Sequence, residues 1–351
     1  IDKFKFESLN SLQLKKEKSK NYTINKKDLI KIDQCLVCKS KNIINISEVF
    51  KNELLFNATS CCQNCNFTFR SISPKLSWFK KCWKKIEKNK LEVFQESLEK
   101  SRYIRYKKYY KLVKPYLKGN KLLDIGAAYG TGSLVFKERG FKVYAIEPDN
   151  NKYNFLTIKN KINVIKKYIE DISDVKIKFD IIILANCLEH LDNPIKALKD
   201  IKKIINKDGL VYIDLPNLWR YISWSDSLYL THKSYFTYEN LKYILRKIGF
   251  KIIKKIKIKH QKQAPLDLGL LIKKTKKNCN INYYRDINKT KIIYSMYKKG
   301  LPGIKNKYFF PEVIKFKVKN IEHFYQTINL NNYEISYSEG FINFIKSKSV
   351  K

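Results

Sequence analysis

Three absences narrow the reading before any motif is considered. The 351-residue chain has no apolar run approaching the roughly eighteen residues that a membrane-spanning helix needs. Its opening stretch is charged throughout, so no export signal is expected and the protein reads as soluble and cytoplasmic. The chain begins at Ile1 rather than Met, and a truncated N-terminus is the corresponding expectation. Acidic residues are scarce, 32 against 72 lysines and arginines, which leaves a formal net charge of +40. An excess of that size ordinarily points to a polyanionic partner. Here the lysines are spread over every segment beside abundant Ile and Asn, so the charge selects no single basic face. Hydrophobic residues make up 44% of the chain and aromatics 14%, a globular composition whose length suits two or three domains.

Cysteine is unevenly placed. Five of the eight cysteines fall between positions 35 and 65, and in a chain without an export signal that clustering reads as metal binding rather than disulfides. Cys35-x-x-Cys38 and Cys62-x-x-Cys65 are two knuckles separated by strand-like residues at Ile43 to Ile46 and Leu54 to Phe56. Four thiolates at this spacing predict a structural zinc ribbon over 31–72, with Cys61 as an alternative ligand beside Cys62. Lys39 and Asn66 stand where the residue after a knuckle is usually glycine. Residues 1–30 form a polar arm without nameable chemistry. A helical linker is expected over 73–102, with Trp78, Phe79 and Cys82 on one face.

The stretch from Lys121 to Gly132, KLLDIGAAYGTG, feeds a short apolar strand into a glycine-rich loop, and a helical pattern follows from Ser133. A second apolar strand, Phe141 to Ile146, ends on Glu147. Small loop residues let backbone amides approach a ligand, the helix start offers free N–H groups, and an acid closing the second strand can accept ribose hydroxyls. The loop therefore suits a nucleoside-containing cofactor. The dinucleotide fingerprint G-x-G-x-x-G is missing, because its three positions hold Gly126, Ala128 and Thr131.

Further along, Phe179 to Ala185 is a continuous apolar run of the kind a buried central strand requires, and it ends in Asn186-Cys187-Leu188-Glu189-His190-Leu191. Ligands of open α/β sheets bind at the carboxyl ends of strands, which places Asn186 and the Glu189-His190 pair beside the cofactor. Glu189 and His190 together read either as a base or as a helix-start acid with a packed histidine. A strand at Leu210 to Leu215, a helix from Tyr238 with Thr237 as its N-cap, and strands at Phe250 to Ile258 and Leu268 to Lys273 complete the pattern.

Asp124-x-Gly126-x-Ala128-x-Gly130 with Glu147, and FDIIILANCLEHLDNP at 179–194, resemble the class I S-adenosylmethionine (SAM) methyltransferases over about 103–275. That resemblance implies a Rossmann-like, doubly wound α/β fold with a seven-stranded sheet ending in an antiparallel hairpin. It also implies a cofactor site at Asp124, Gly126, Ala128, Gly130, Glu147, Asn186 and, near the adenine, Ile169 and Glu170. An N-terminal four-cysteine ribbon before such a domain is similar to the sugar C-methyltransferases. Their loop reads approximately Tyr-His-Glu-His-Leu-Ser-Tyr-Phe-Ser, and here Tyr229, His232, Tyr235 and Phe236 match while Leu230 and Thr231 replace the first His and the Glu. The resemblance implies a small acceptor linked to a sugar, methylated at carbon or oxygen, with His232 as base and His190 and Tyr229 beside it. Nucleic acid, held by the ribbon and the lysines, is the competing partner, although no Asn-Pro-Pro-Tyr motif and no aromatic RNA-binding signature is visible. No function is legible in residues 276–351.

Overall fold

The computed structural model describes residues 23–88, 96–218, 230–259, 266–275, 314–318 and 333–337. The chain begins with a four-cysteine region built on antiparallel strands: β1 (Leu29–Lys31), β2 (Ile43–Lys51), β3 (Leu54–Cys62) and β4 (Thr68–Pro74). Helices α1 (Leu76–Lys88) and α2 (Glu96–Val113) lead into the alternating part. There β5 (Lys121–Ile125), α3 (Thr131–Lys137), β6 (Lys142–Ile146), α4 (Asn150–Asn154), β7 (Asn163–Ile165) and β8 (Phe179–Ala185) follow in turn. The chain continues through α5 (Pro194–Ile204), β9 (Ile205–Leu215), β10 (Ser234–Tyr235), α6 (Tyr238–Ile248), β11 (Phe250–Lys259) and β12 (Leu266–Lys274). Two late strands, β13 (Ile314–Val318) and β14 (Tyr333–Tyr337), lie in the stretch whose sequence gave no reading.

Seven strands form one sheet in the order β11-β12-β9-β8-β5-β6-β7. β5 to β9 are mutually parallel, and β12 and β11 close the edge as an antiparallel hairpin. From β5 the chain runs outward through β6 and β7, then returns to the other side of β5 with β8. Strand order reverses there, which opens a crevice above the carboxyl ends of β5 and β8. Alternation along the strands divides the core: Leu123, Ile125, Ile182 and Leu184 pack toward α5 and α6, while Leu122, Ile181 and Ile183 pack toward α2 and α3. One boundary differs from expectation. The strand expected from Leu210 begins at Ile205, because Ile205 already pairs with Phe179 before the register shifts.

The four-cysteine sheet has the order β1-β4-β3-β2-β13-β14, with β13 parallel to β2. It extends beyond positions 31–72 in both directions. β10 also pairs with β4, Ser234 opposite Phe69 and Tyr235 opposite Thr68, so the four-cysteine sheet holds a loop of the α/β region through backbone hydrogen bonds. Phe67 and Phe69 join the same apolar core as Phe236, with the Phe67 and Phe236 ring centroids 5.6 Å apart. Thr237 caps α6 as its sequence suggests, accepting from Asn240 N–H at 3.1 Å. Among the described residues no helix is long and apolar enough to cross a membrane.

Candidate cofactor pocket and four-cysteine centre

The glycine loop adopts left-handed backbone at Gly126, Ala128 and Gly130, with φ of 75°, 51° and 75°. Ala128 occupies the position where the resembling families carry glycine, and its strain is countered by its N–H, which donates to Glu147 Oε2 at 2.9 Å. Glu147 Oε1 accepts from Asp149 N–H at 3.1 Å. Its carboxyl is buried, and that burial raises its pKa to about 7, with Lys152 and the two N–H donors opposing the rise.

Asp124 lies deeper than a ligand-facing residue. It is wholly buried below the loop and accepts from Ser133 Oγ at 2.5 Å and from the Tyr106 hydroxyl at 3.0 Å. Burial lifts its pKa to about 6 against those two donors. Asp124 therefore ties α2, β5 and α3 together beneath the loop. Gly132 sits against the same tyrosine: a Cβ there would stand 2.6 Å from the Tyr106 ring. Gly132→Ala is accordingly expected to push Tyr106 off Asp124 and destabilise the fold by about 1–3 kcal/mol, measurable by chemical denaturation.

A cavity of about 340 Å³ opens above the carboxyl ends of β5, β6 and β8. Gly126, Glu147, Ile169, Glu170 and Asn186 line it, as does His190. Asn186 reaches its place in left-handed backbone, φ 49°, with its N–H donating to Asp214 O at 2.8 Å. Asp124, Ala128, Gly130 and His232 are not part of the wall, and Tyr229 lies outside the described residues. The remaining wall comes from residues that local sequence did not single out as ligand-facing: Phe79 of α1, Lys152, Tyr168, Thr231 and Lys233. Phe79 read as part of a core stripe, and only the packing of α1 across the sheet brings it here. Lys233 bridges Asp192, the Pro74 carbonyl at 3.4 Å and the face of Phe79 at 5.0 Å.

His190 follows β8 on a short 3₁₀ turn, Leu188–His190. Its Nδ1 lies 2.9 Å from the Thr231 carbonyl and its Nε2 lies 3.8 Å from Glu189 Oε1. Burial, reinforced by His232, depresses its pKa to about 3, so it is neutral at physiological pH. The ring of His232 stands 5.0 Å behind it. Arg70 of β4 donates from Nε to the His232 carbonyl at 3.0 Å, and its N–H donates to Lys233 O at 2.8 Å. The loop carrying His232 is thus fixed by the ribbon, and His190, rather than His232, faces the cavity.

The four cysteines converge as their spacing predicts. Cys35 and Cys65 sulfurs are 3.5 Å apart, as are those of Cys38 and Cys62, and all four ligand atoms lie within 4.8 Å of one another. Sulfurs bound at about 2.3 Å to one tetrahedral ion stand roughly 3.8 Å apart, so the set fits zinc and leaves no open position. Crowding agrees: hydrogen bonding to Cys38 and Cys62 raises the Cys35 thiol, and bonding to Cys35 and Cys38 raises Cys65, a conflict that a cation relieves. Cys62, rather than Cys61, joins the cluster, since Cys61 points to the other face of β3 and directs its sulfur toward the Cys62 carbonyl at 3.8 Å. Lys39 and Asn66 both have left-handed backbone, φ 65° and 56°, which explains why this position usually holds glycine.

Residues 94–255 match the family model described as a methyltransferase domain. This stretch is a methyltransferase domain. The curated relatives that the methyltransferase region resembles include a tRNA U34 carboxymethyltransferase of Campylobacter lari, 29% identical over 30% of this chain and 39% of that protein. A second, from Campylobacter fetus, is 32% identical over 27% of this chain and 36% of that protein. The chain thus spans well under half the length of these relatives. Among solved structures, a 1,6-didemethyltoxoflavin-N1-methyltransferase of Burkholderia thailandensis with bound S-adenosylhomocysteine is 17% identical, covering 60% of this chain and 96% of that one at a TM-score of 0.45. An S-adenosylmethionine-dependent methyltransferase of Clostridium acetobutylicum is 12% identical, covering 57% and 99%, at a TM-score of 0.41.

Proposed function

We propose that the protein transfers a methyl group from SAM to a small, hydroxyl-bearing acceptor, a sugar nucleotide or glycan precursor, in a site whose acceptor side is held by a structural zinc ribbon. The observation that carries the cofactor half is Glu147, a buried acid at the end of β6 that faces the same cavity as Gly126. In that cavity its carboxylate suits a ribose diol, Gly126 lets the ligand approach the backbone, and Ile169, Glu170 and Asn186 form the adjoining wall. When bound, SAM supplies an already activated methyl, so the protein's task is alignment and exclusion of water. Phe79, Thr231, Lys233 and His190 close the other side, where the acceptor belongs.

His190 is held in one orientation by the Thr231 carbonyl, and at a pKa of about 3 it serves as a hydrogen-bonding group rather than a store for a proton at neutral pH. His190→Ala is expected to lower kcat by about 100-fold or more while SAM affinity changes less than about threefold. Steady-state kinetics with a binding titration checks both values, and unchanged turnover removes His190 from the site's chemistry.

The acceptor half is tested by incubating the protein with methyl-labelled SAM and two acceptor pools, sugar nucleotides and transfer RNA. Label in the sugar-nucleotide fraction supports this reading. Label in the RNA supports the second reading, which the names of the Campylobacter relatives and the charge of +40 favour. That reading further requires RNA affinity that falls steeply as salt rises.

A further inference from the structure

The methyltransferase reading makes no use of Glu189, although it is buried beside the cavity together with two imidazoles. One ligand atom from each of Glu189, His190 and His232 falls within 4.8 Å of the others. They come from two segments, the turn after β8 and the loop before β10, which are joined by the Lys233 N–H donating to the Glu189 carbonyl at 2.8 Å. The contacts of His190 assign its two nitrogens different roles. With the proton on Nδ1, the ring donates to the Thr231 carbonyl, and the bare Nε2 lone pair then faces a carboxylate oxygen 3.8 Å away. The 2.9 Å contact to the Thr231 carbonyl favours the proton on Nδ1 and leaves Nε2 as the nitrogen free to ligate.

A cation between Nε2 and Oε1 would be held by both atoms. Two ligands bound at about 2.1 Å to one ion stand roughly 3.4 Å apart at a tetrahedral angle, close to the observed gap. A backbone carbonyl on the far nitrogen is the usual partner that orients a metal-bound histidine and fixes its tautomer. We propose that Glu189, His190 and His232 form a second, open metal site for a first-row divalent cation, reached from the cavity at His190, and that the ion receives a hydroxyl of the acceptor.

Two imidazoles and one carboxylate leave coordination positions vacant, unlike the closed four-cysteine set. An acceptor hydroxyl on the ion becomes more acidic and loses its proton to water. Its oxygen then forms the new O–C bond while the S–C bond breaks and its electron pair returns to sulfur. This inference rests on the proposed methyl transfer, and it names an oxygen acceptor able to bind a divalent cation.

Mn²⁺ separates this site from the ribbon, since a hard ion does not displace zinc from four thiolates. Full-length, zinc-loaded protein titrated with Mn²⁺ and followed by electron paramagnetic resonance is expected to bind one equivalent. Glu189→Gln and His232→Ala are each expected to weaken that binding at least tenfold, and where His232→Ala fails to fold, Glu189→Gln, which preserves shape, carries the test. No Mn²⁺ binding by the wild-type protein, or binding untouched by Glu189→Gln, overturns the proposal. SAM affinity measured on the same samples keeps the two readings apart. SAM binding without a Mn²⁺ site overturns only the metal, and a Mn²⁺ site without SAM binding overturns only the methyl donor.

Discussion

Glu147→Gln is expected to weaken SAM binding at least about tenfold, and in the wild-type protein the affinity is expected to fall as pH drops below 7. The substitution keeps the volume of the side chain but replaces a charged acceptor of two ribose hydroxyls by a neutral amide, and hydrogen bonds to charged groups contribute about 1.5–3 kcal/mol each. The pH dependence follows from burial, which raises the carboxyl to about 7 in the cofactor-free protein. Below that value the carboxyl must lose a proton before it can accept both hydroxyls, so the dissociation constant rises by up to tenfold per pH unit and levels off above pH 7.

Folding stability moves in the opposite sense. A carboxyl raised on folding contributes stability that is fully present below its unfolded value, near 4.5, and is lost as pH rises through about 7. For Glu147 that loss is on the order of 3 kcal/mol, and Asp124, raised to about 6, adds to it with the same sign. Glu147→Gln removes its share of the slope. Calorimetric titrations from pH 5.5 to 8.5, with thermal melts of the cofactor-free protein, measure both. A flat affinity profile, or a Glu147→Gln affinity equal to wild type, contradicts the assignment.

Cys62→Ser is expected to release the zinc, unfold the ribbon and abolish acceptor turnover while leaving SAM binding largely in place. A closed four-thiolate site contributes its binding free energy to folding, so losing one ligand removes most of what holds the ribbon. The consequence passes to the catalytic side through β4, which pairs with β10 and sends Arg70 to the His232 carbonyl. Gly126 and Glu147 directly follow β5 and β6, which make no strand pairs with the four-cysteine sheet. Cys61→Ser, by contrast, removes no ligand and is expected to retain the metal, with a cost of about 1 kcal/mol. Metal analysis and hydrogen exchange over residues 43–74 and 231–236 distinguish the two variants. Retained zinc and protection in Cys62→Ser would falsify the ribbon's role.

What the sequence made legible was local. Cys-x-x-Cys spacing, the run from Asp124 to Gly130, the acid at Glu147 and the apolar run before Asn186 each carry their pattern within a few residues, and the fold brings the four cysteines together and places Gly126, Glu147 and Asn186 on one cavity. The hairpin at the sheet edge was legible for the same reason. Pairing across long stretches was not. Nothing near Ser234 announces that it will face Phe69, and nothing in the mixed stretch after position 276 announces strands that extend the ribbon sheet. Reach was not legible where two similar residues compete: His232 matches the resembling loop, while the turn after β8 brings His190 to the cavity wall with the His232 ring 5.0 Å from it. Asp124 ends its strand as the motif requires but turns inward to Ser133 and Tyr106, because a charged group below the loop anchors α2 against α3.

Methyl transfer at this site requires first that the cavity above β5, β6 and β8 hold SAM. Isothermal titration of zinc-loaded, full-length protein at pH 7.5 tests this most directly. One equivalent of SAM bound with a dissociation constant between about 1 μM and 1 mM, and at least tenfold weaker binding in Glu147→Gln, is the predicted result. Absence of SAM binding by the folded wild-type protein, or equal binding by Glu147→Gln, contradicts it.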